Sequence, residues 1–409
     1  MSILLTHPCG NTFVRSLASG LQEAGQLEAF YTALSIKPAD PYLHWLPEGV
    51  QKELLRRFYD LPVEKIATRP WREALRLASL RLGWRWPVRH EIGWACVDAV
   101  FRDLDRHVAR QLAQLPERLQ GVYCYEDGAL QTFAEARQLG LKCLYDLPIG
   151  YWRAAREIQQ EEAELNPAWA DTIVAMRDSE AKLARKDREL AGADAIFVAS
   201  SFTRKTLELA PQIDAPIHVI PYGAPPVAAT PRRVSPPGEA LKVLFVGSLG
   251  QRKGVSYLLD AVEILGDRVE LTLIGRPTGP CEPLERALDT YRWIESLPHA
   301  GVLAEMRRHD VLVFPSLFEG FGLVLLEAMA QGLPAIATDR TAAPDLFADG
   351  VDGWLIPIRS PEAIAEKLEL LDRDRDRLAE MGEAARATAR RQTWSVYSRT
   401  MVKAIAHCM

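Results

Sequence analysis

The chain has 409 residues, 48% hydrophobic and 25% charged, with a formal net charge of −5 at pH 7. That is enough apolar material for two cores, and it excludes a disordered or low-complexity protein. The mildly acidic balance gives no bulk attraction for nucleic acid, so no nucleic-acid partner is expected. Six cysteines (Cys9, Cys96, Cys124, Cys143, Cys281 and Cys408) are scattered without CxxC or Cys/His ligand spacing, which predicts reduced structural thiols and no metal cluster. The opening MSILLTHPCG carries no basic stretch before a long apolar run, and no apolar segment reaches membrane-spanning length. A cytoplasmic body is therefore expected.

Residues 2–6 read as a strand and 7–11 as a turn. Phe13, Val14, Leu17 and Leu21 then mark the apolar face of a helix that stops at Gly25, the opening move of a Rossmann-like domain. Residues 69–94 gather Arg69, Arg72, Arg76, Arg81, Arg85 and Arg89 with Trp71, Trp84, Trp86 and Trp94, against only Glu73 and Glu91. Leu75, Ala78 and Leu82 fall at helical spacing there. Two readings stand: a patch or groove for anionic lipid head groups or an anionic acceptor, or a core helix whose arginines pair with acids elsewhere.

Strands follow at 121–125 and 142–147, and Tyr145 and Asp146 fall at the carboxyl end of the second, where such folds place ligands. Glu126 and Asp127 after the earlier strand are either polar contacts or a cap for the next helix. Residues 153–190 are dense in charge around Pro167 and predict two solvated helices. Strands at 196–199 and 218–221 close the first half.

Residues 224–240 contain five prolines and little periodicity, which predicts a semi-rigid connector. A second strand–turn–helix restarts at 241–246, followed by GSLGQRKG at 247–254, a basic glycine loop suited to an anion. Residues 311–314 are an apolar strand; Gly320 and Gly322 turn the chain, a helix starts near Leu323 and stops at Gly332, and 335–338 is the next strand. Glu319 lies in the turn and Glu327 on the helix. A carboxylate beside a phosphate site suits hydroxyls, which can donate a pair of hydrogen bonds; a solvated or capping role is the plainer alternative.

The string EGFGLVLLEAMAQGLPAIATD (319–339) closely resembles the donor-site signature of the retaining nucleotide-sugar glycosyltransferases of family 4, the glycosyl transferases group 1. The resemblance implies the GT-B fold, an α/β architecture of two Rossmann-like domains facing a cleft. It divides the chain into an acceptor-binding domain (1–224), a linker (225–240), a donor-binding domain (241–390) and a last helix (391–409) that crosses back to the first domain. It implies that Glu319 and the amides of Gly320, Phe321, Gly322 and Leu323 sit at the donor sugar and phosphates, and that Glu327 takes the ribose. Gly247, Ser248, Arg252 and Lys253 would form the diphosphate loop, with Lys253 and Glu319 carrying the catalytic roles. Ser248 stands where the family usually has an arginine, and Arg252 is the nearby substitute. Gly10 alone stands for the usual glycine pair, and Tyr145 or Asp146 for a usual histidine, as sugar or acceptor contacts. The Arg276–Gly279 stretch would lie by the base, while His299 reads as a surface histidine.

The implied activity is transfer of a sugar from a nucleotide diphosphate sugar to a saccharide or lipid-linked acceptor, in cell-surface polysaccharide or glycoconjugate synthesis. No metal and no cofactor beyond that co-substrate are implied, and peripheral contact with the inner membrane face through 69–94 is compatible. The rivals are a GT-B epimerase or phosphorylase and a non-catalytic nucleotide-sugar-binding protein. The last fits Ser248, the absent histidine and the single Gly10.

Overall fold

The computed structural model describes every residue except 117 and 174. The first half builds a seven-stranded parallel sheet from β1 (Ile3–Thr6), β2 (Leu27–Thr32), β3 (Ile66–Thr68), β4 (Gly121–Tyr125), β5 (Lys142–Leu147), β6 (Ala195–Val198) and β7 (Ile217–Val219), in the order β3-β2-β1-β4-β5-β6-β7. The second half builds a six-stranded parallel sheet from β8 (Leu241–Val246), β9 (Val269–Ile274), β10 (Arg292–Ile294), β11 (Val311–Phe314), β12 (Ala335–Thr338) and β13 (Gly353–Ile356), ordered β10-β9-β8-β11-β12-β13. Helices cover both faces, which is why the central strands are continuous apolar runs such as the fully buried VLVF of β11. Strand order reverses between β1 and β4 and between β8 and β11, and a crevice opens at the carboxyl end of such a reversal.

The last helix, Trp394–Cys408, lies on the first-domain helix Thr12–Glu23. The two approach so closely at Gly20 that a Cβ there would stand 2.8 Å from Ser398 Cβ. Tyr397, Met401 and Ile405 bury the other contacts. The two-domain architecture and the returning helix are those expected from the resemblance.

The fold departs from, or adds to, the sequence expectations at several points. The strands β3, β10 and β13, three or four residues each, are too short to stand out before they pair, and β2 (LEAFYT) carries too little alternation to do so. The proline-rich connector packs along the second domain. Arg232 is buried and donates to the carbonyls of Gly332 (3.0 Å) and His309 (2.6 Å) and to Asp310 (3.1 Å), and the Ala228 amide bonds Ala330, so the segment is fastened to the second domain.

The charged helices Trp152–Leu165 and Glu180–Ala191 are not simply solvated. Glu162 and Glu189 are completely buried, and Lys186 is nearly so and pairs with Glu126 at 3.2 Å. The Arg/Trp segment splits between its two readings. In its first part Glu73 is sealed between Arg57 (2.7 Å) and Arg76 (2.6 Å), and Arg69 reaches Asp103 (3.0 Å). In its second part Leu80, Leu82, Trp84 and Trp86 all project into solvent.

Candidate functional site

The loops after β8 and β11 flank the strand-order reversal of the second sheet. After β8 the chain turns at Gly247 (φ +154), makes one short turn over Gln251–Lys253, and enters the helix Val255–Leu265 at Gly254. Gly254 has φ +67, and any Cβ there would lie 2.1 Å from the Pro315 carbonyl oxygen, so this position requires glycine. The close approach stitches the two loops together, and the Leu317 amide donates to the Arg252 carbonyl at 2.9 Å.

Three charged residues converge there. Arg252 donates to the Phe318 carbonyl (2.8 Å) and to Glu319 Oε2 (3.1 Å), and Lys253 Nζ donates to the same carboxylate oxygen. The Lys253 ammonium also lies 4.4 Å from the centre of the Phe314 ring. Burial opposes ionisation of Glu319, but the Lys253 and Arg252 charges outweigh it and hold its carboxyl below the usual carboxylate range. The result is a partly buried anion held by two cations, which an incoming anion could displace.

Gly322 (φ +83) caps the helix Leu323–Ala330, whose first-turn amides have no carbonyl within the helix to receive them. Glu327, one turn along from Leu323 on the same face, bonds His299 Nε2 at 3.0 Å. His299 is thus exposed but engaged, a partner that its position in the sequence did not announce. Phe321 is buried against Tyr222 of the first domain, with ring centroids 4.9 Å apart.

The two domains also meet closely at Gly320. Its carbonyl accepts from Ser200 Oγ (2.6 Å) and Thr203 Oγ1 (2.8 Å), and a Cβ on it would lie 2.3 Å from the Pro148 carbonyl oxygen. Ser201 adds a bond to Asp345 at 2.8 Å. A cavity of about 560 Å³ lies between the domains, with Gly10, Arg15 and Arg56 on one wall and Leu323 on the other. A second, of about 510 Å³, has Arg252 and Phe318 facing Gly150 and Trp152.

Gly247, Ser248, Arg252, Lys253, Glu319, Gly320, Phe321, Gly322, Leu323 and Glu327 therefore lie on the two adjoining loops and the helix that leaves one of them, with Gly10 across the cleft. The two remaining sequence candidates are elsewhere. Tyr145 is a correction, since its ring faces the first-domain core beside Phe133 and is 1% exposed. Asp146 is also enclosed, 4% exposed and bonded by the Tyr123 hydroxyl at 2.6 Å, and burial pushes its carboxyl up to about 7. Successive β5 side chains point to opposite sheet faces, and both faces are covered.

Residues 228–388 match the family model described as Glycosyl transferases group 1. Over 246 residues, 58% of this chain, the sequence is 34% identical to a phosphatidyl-myo-inositol mannosyltransferase of Mycobacterium leprae, covering 59% of that protein. Over 183 residues, 40% of this chain, it is 34% identical to a D-inositol 3-phosphate glycosyltransferase of Corynebacterium glutamicum, covering 43% of it. The chain thus spans less than two thirds of these curated relatives. Among solved structures, sucrose-phosphate synthase from Thermosynechococcus elongatus superposes with a TM-score of 0.66 at 17% identity, covering 100% of this chain and 98% of that one. HepE of Anabaena in complex with UDP superposes with a TM-score of 0.62 at 14% identity, covering 100% of both. The structural likenesses establish the GT-B fold.

Proposed function

We propose that this protein is a retaining glycosyltransferase that moves a sugar from a nucleotide diphosphate sugar to an acceptor hydroxyl, without a metal or further cofactor. The observation that carries the reading is the convergence of Arg252, Lys253 and Glu319 at the head of the helix bearing Glu327. The match of residues 228–388 to the group 1 model and the names of the relatives support it.

In this reading the donor diphosphate displaces Glu319 from the two cations, and the freed carboxylate turns to the sugar hydroxyls. Glu327 exchanges His299 for the ribose. The bond from the anomeric carbon to the phosphate oxygen breaks while the acceptor oxygen bonds the same carbon from the same face. The acceptor proton leaves on the departing diphosphate. Lys253, Arg252 and the amides at Gly322 and Leu323 stabilise the charge that develops there, and closure of the domains excludes water. The test is binding and slow hydrolysis of uridine, guanosine and adenosine diphosphate sugars with chelator present. One nucleotide that binds and turns over supports the reading; binding without turnover, even with acceptor supplied, would favour a non-catalytic nucleotide-sugar binder.

The acceptor side of the proposal is lipid-linked or surface glycoconjugate synthesis at the cytoplasmic membrane face. Among the described residues no helix is long and apolar enough to cross a membrane. Trp84 and Trp86 are 55% and 76% exposed, and Leu80, Leu82, Arg81, Arg85 and Arg89 project around them. Aromatic side chains interleaved with arginines suit the boundary of an anionic bilayer, and the mycobacterial relative's name includes a phosphatidyl lipid. Sedimentation with phosphatidylglycerol vesicles, lost in a Trp84→Ser/Trp86→Ser variant, is expected. Equal sedimentation of variant and wild type would remove this surface from the proposal.

A further inference from the structure

The helix Trp152–Leu165 and the turn Pro167–Thr172 belong by sequence to the first domain; the helix starts on that domain, where Trp152 and Arg153 bond Asp187, but its end and the turn are built onto the second. Trp169 is 5% exposed, packed into the second-domain core. Thr278 Oγ1 donates to the Thr172 carbonyl at 2.7 Å, and a Cβ on Gly279 would stand 2.1 Å from the Asp171 carbonyl oxygen.

At the centre of this contact is Glu162, completely buried. Its Oε1 accepts from Gln251 Nε2 (2.7 Å), Tyr257 OH (2.8 Å) and Asn166 Nδ2 (2.7 Å), and its Oε2 from Arg359 Nε (2.7 Å). Arg359 holds φ +59, a left-handed backbone that a side-chain-bearing residue adopts only when its surroundings enforce it. The Gln251 amide is fixed separately, donating to Thr172 Oγ1 at 2.9 Å. The residue directly before Arg252 and Lys253 is therefore clamped through both backbone and side chain by first-domain chain.

A buried carboxylate is tolerated only when fully paired, and an apolar filler would join the domains without that demand. What the carboxylate adds is direction: it fixes where Gln251 points, and so how the turn presents its two cations. We propose that Glu162 is a positioning residue for the donor diphosphate, acting through Gln251 to hold the Gln251–Lys253 turn in its anion-binding geometry. This rests on the donor reading above. It makes the phosphate loop a structure of both domains, complete only when the 162–172 strut is seated.

The test compares wild type, Glu162→Gln and Glu162→Ala. Titration with UDP, GDP and ADP identifies the nucleotide bound, and the matching nucleoside, which has no phosphate, serves as control. Hydrogen exchange at the amides of 251–254 reads the loop without any ligand. Glu162→Ala should weaken the diphosphate about tenfold, the size of one lost charged hydrogen bond, and leave the nucleoside within about twofold. Exchange at 251–254 should rise in both variants, less in Glu162→Gln. Equal weakening of nucleoside and diphosphate would overturn the inference and leave Glu162 as a structural residue, as would unchanged exchange at 251–254. Failure of the wild type to bind any of the three diphosphates would instead overturn the donor reading, and the positioning role with it.

Discussion

Two carboxylates meet the same short turn, Gln251–Lys253, and they are held in opposite ways. Glu319 is partly accessible, and its charged partners are the two loop cations Arg252 and Lys253. Glu162 is sealed, and its donors come from the turn itself, the helix after it and two loops. The first pair can trade one anion for another at little cost, because both cations keep a partner throughout. The second cannot open without leaving a buried charge unpaired. An exchangeable charge suits a ligand; a locked one suits the geometry that receives it.

The exchangeable side should break most severely with Lys253→Ala. Loss of a cation at the leaving diphosphate is expected to lower kcat by about 100-fold or more. Steady-state kinetics with the responsive donor checks this, and an unchanged kcat would remove Lys253 from charge stabilisation. Glu327→Ala should weaken nucleotide binding by about 1–3 kcal/mol, for hydrogen bonds to a charged group. Calorimetry giving the wild-type affinity would leave Glu327 as no more than the partner of His299.

Gly320→Ala tests the seam between the two halves. Its Cβ must push against the Pro148 carbonyl, only 2.3 Å away, so the domains should part. Transfer is expected to fall about tenfold through lost alignment, while the isolated nucleoside diphosphate still binds. Equal activity and an unchanged small-angle scattering profile would show that the seam can absorb a methyl group.

Glu319→Gln sharpens the comparison by its sign. With the competing anion gone, free nucleoside diphosphate should bind more tightly while sugar transfer slows; weaker binding in calorimetry would show that Glu319 helps rather than competes.

A last prediction concerns Asp146, outside the two loops. Its folded pKa of about 7 lies above the ordinary carboxylate value, so the native state binds more protons than the unfolded chain between about pH 4 and 7. Stability should therefore fall as pH rises through that window, and Asp146→Asn should flatten the fall. Parallel melting curves for the two proteins across pH 4–8 would place the titration elsewhere.

Much of the fold and of the candidate site was legible because its signals are local. The glycines at 254, 320 and 322 sit where a positive φ or a backbone approach demands them, and Glu319 and Glu327 are spaced by one loop and one helix. A short stretch of chain thus determines its own turn, helix start and charges, and VLVF or LKVLFV declares a buried strand without help. Other features depend on partners distant in sequence. Glu162 sits in REIQQEEAEL with the same apparent standing as Glu157, Glu161 and Glu164, and only packing against Gln251, Tyr257 and Arg359 separates it from them. Tyr145 and Asp146 share a strand end, yet coverage of both sheet faces decided that neither side chain opens to the cleft. In the Arg/Trp segment, Glu73 was drawn inside by Arg57 while Trp86 stayed in solvent, a division that composition could not make. The sequence by itself determined the two Rossmann-like halves and the glycine turns and charges of the two loops, since both arise within short spans of chain. Tertiary structure alone decided which charges are exchangeable and which are locked, because burial and pairing are properties of what packs around a residue.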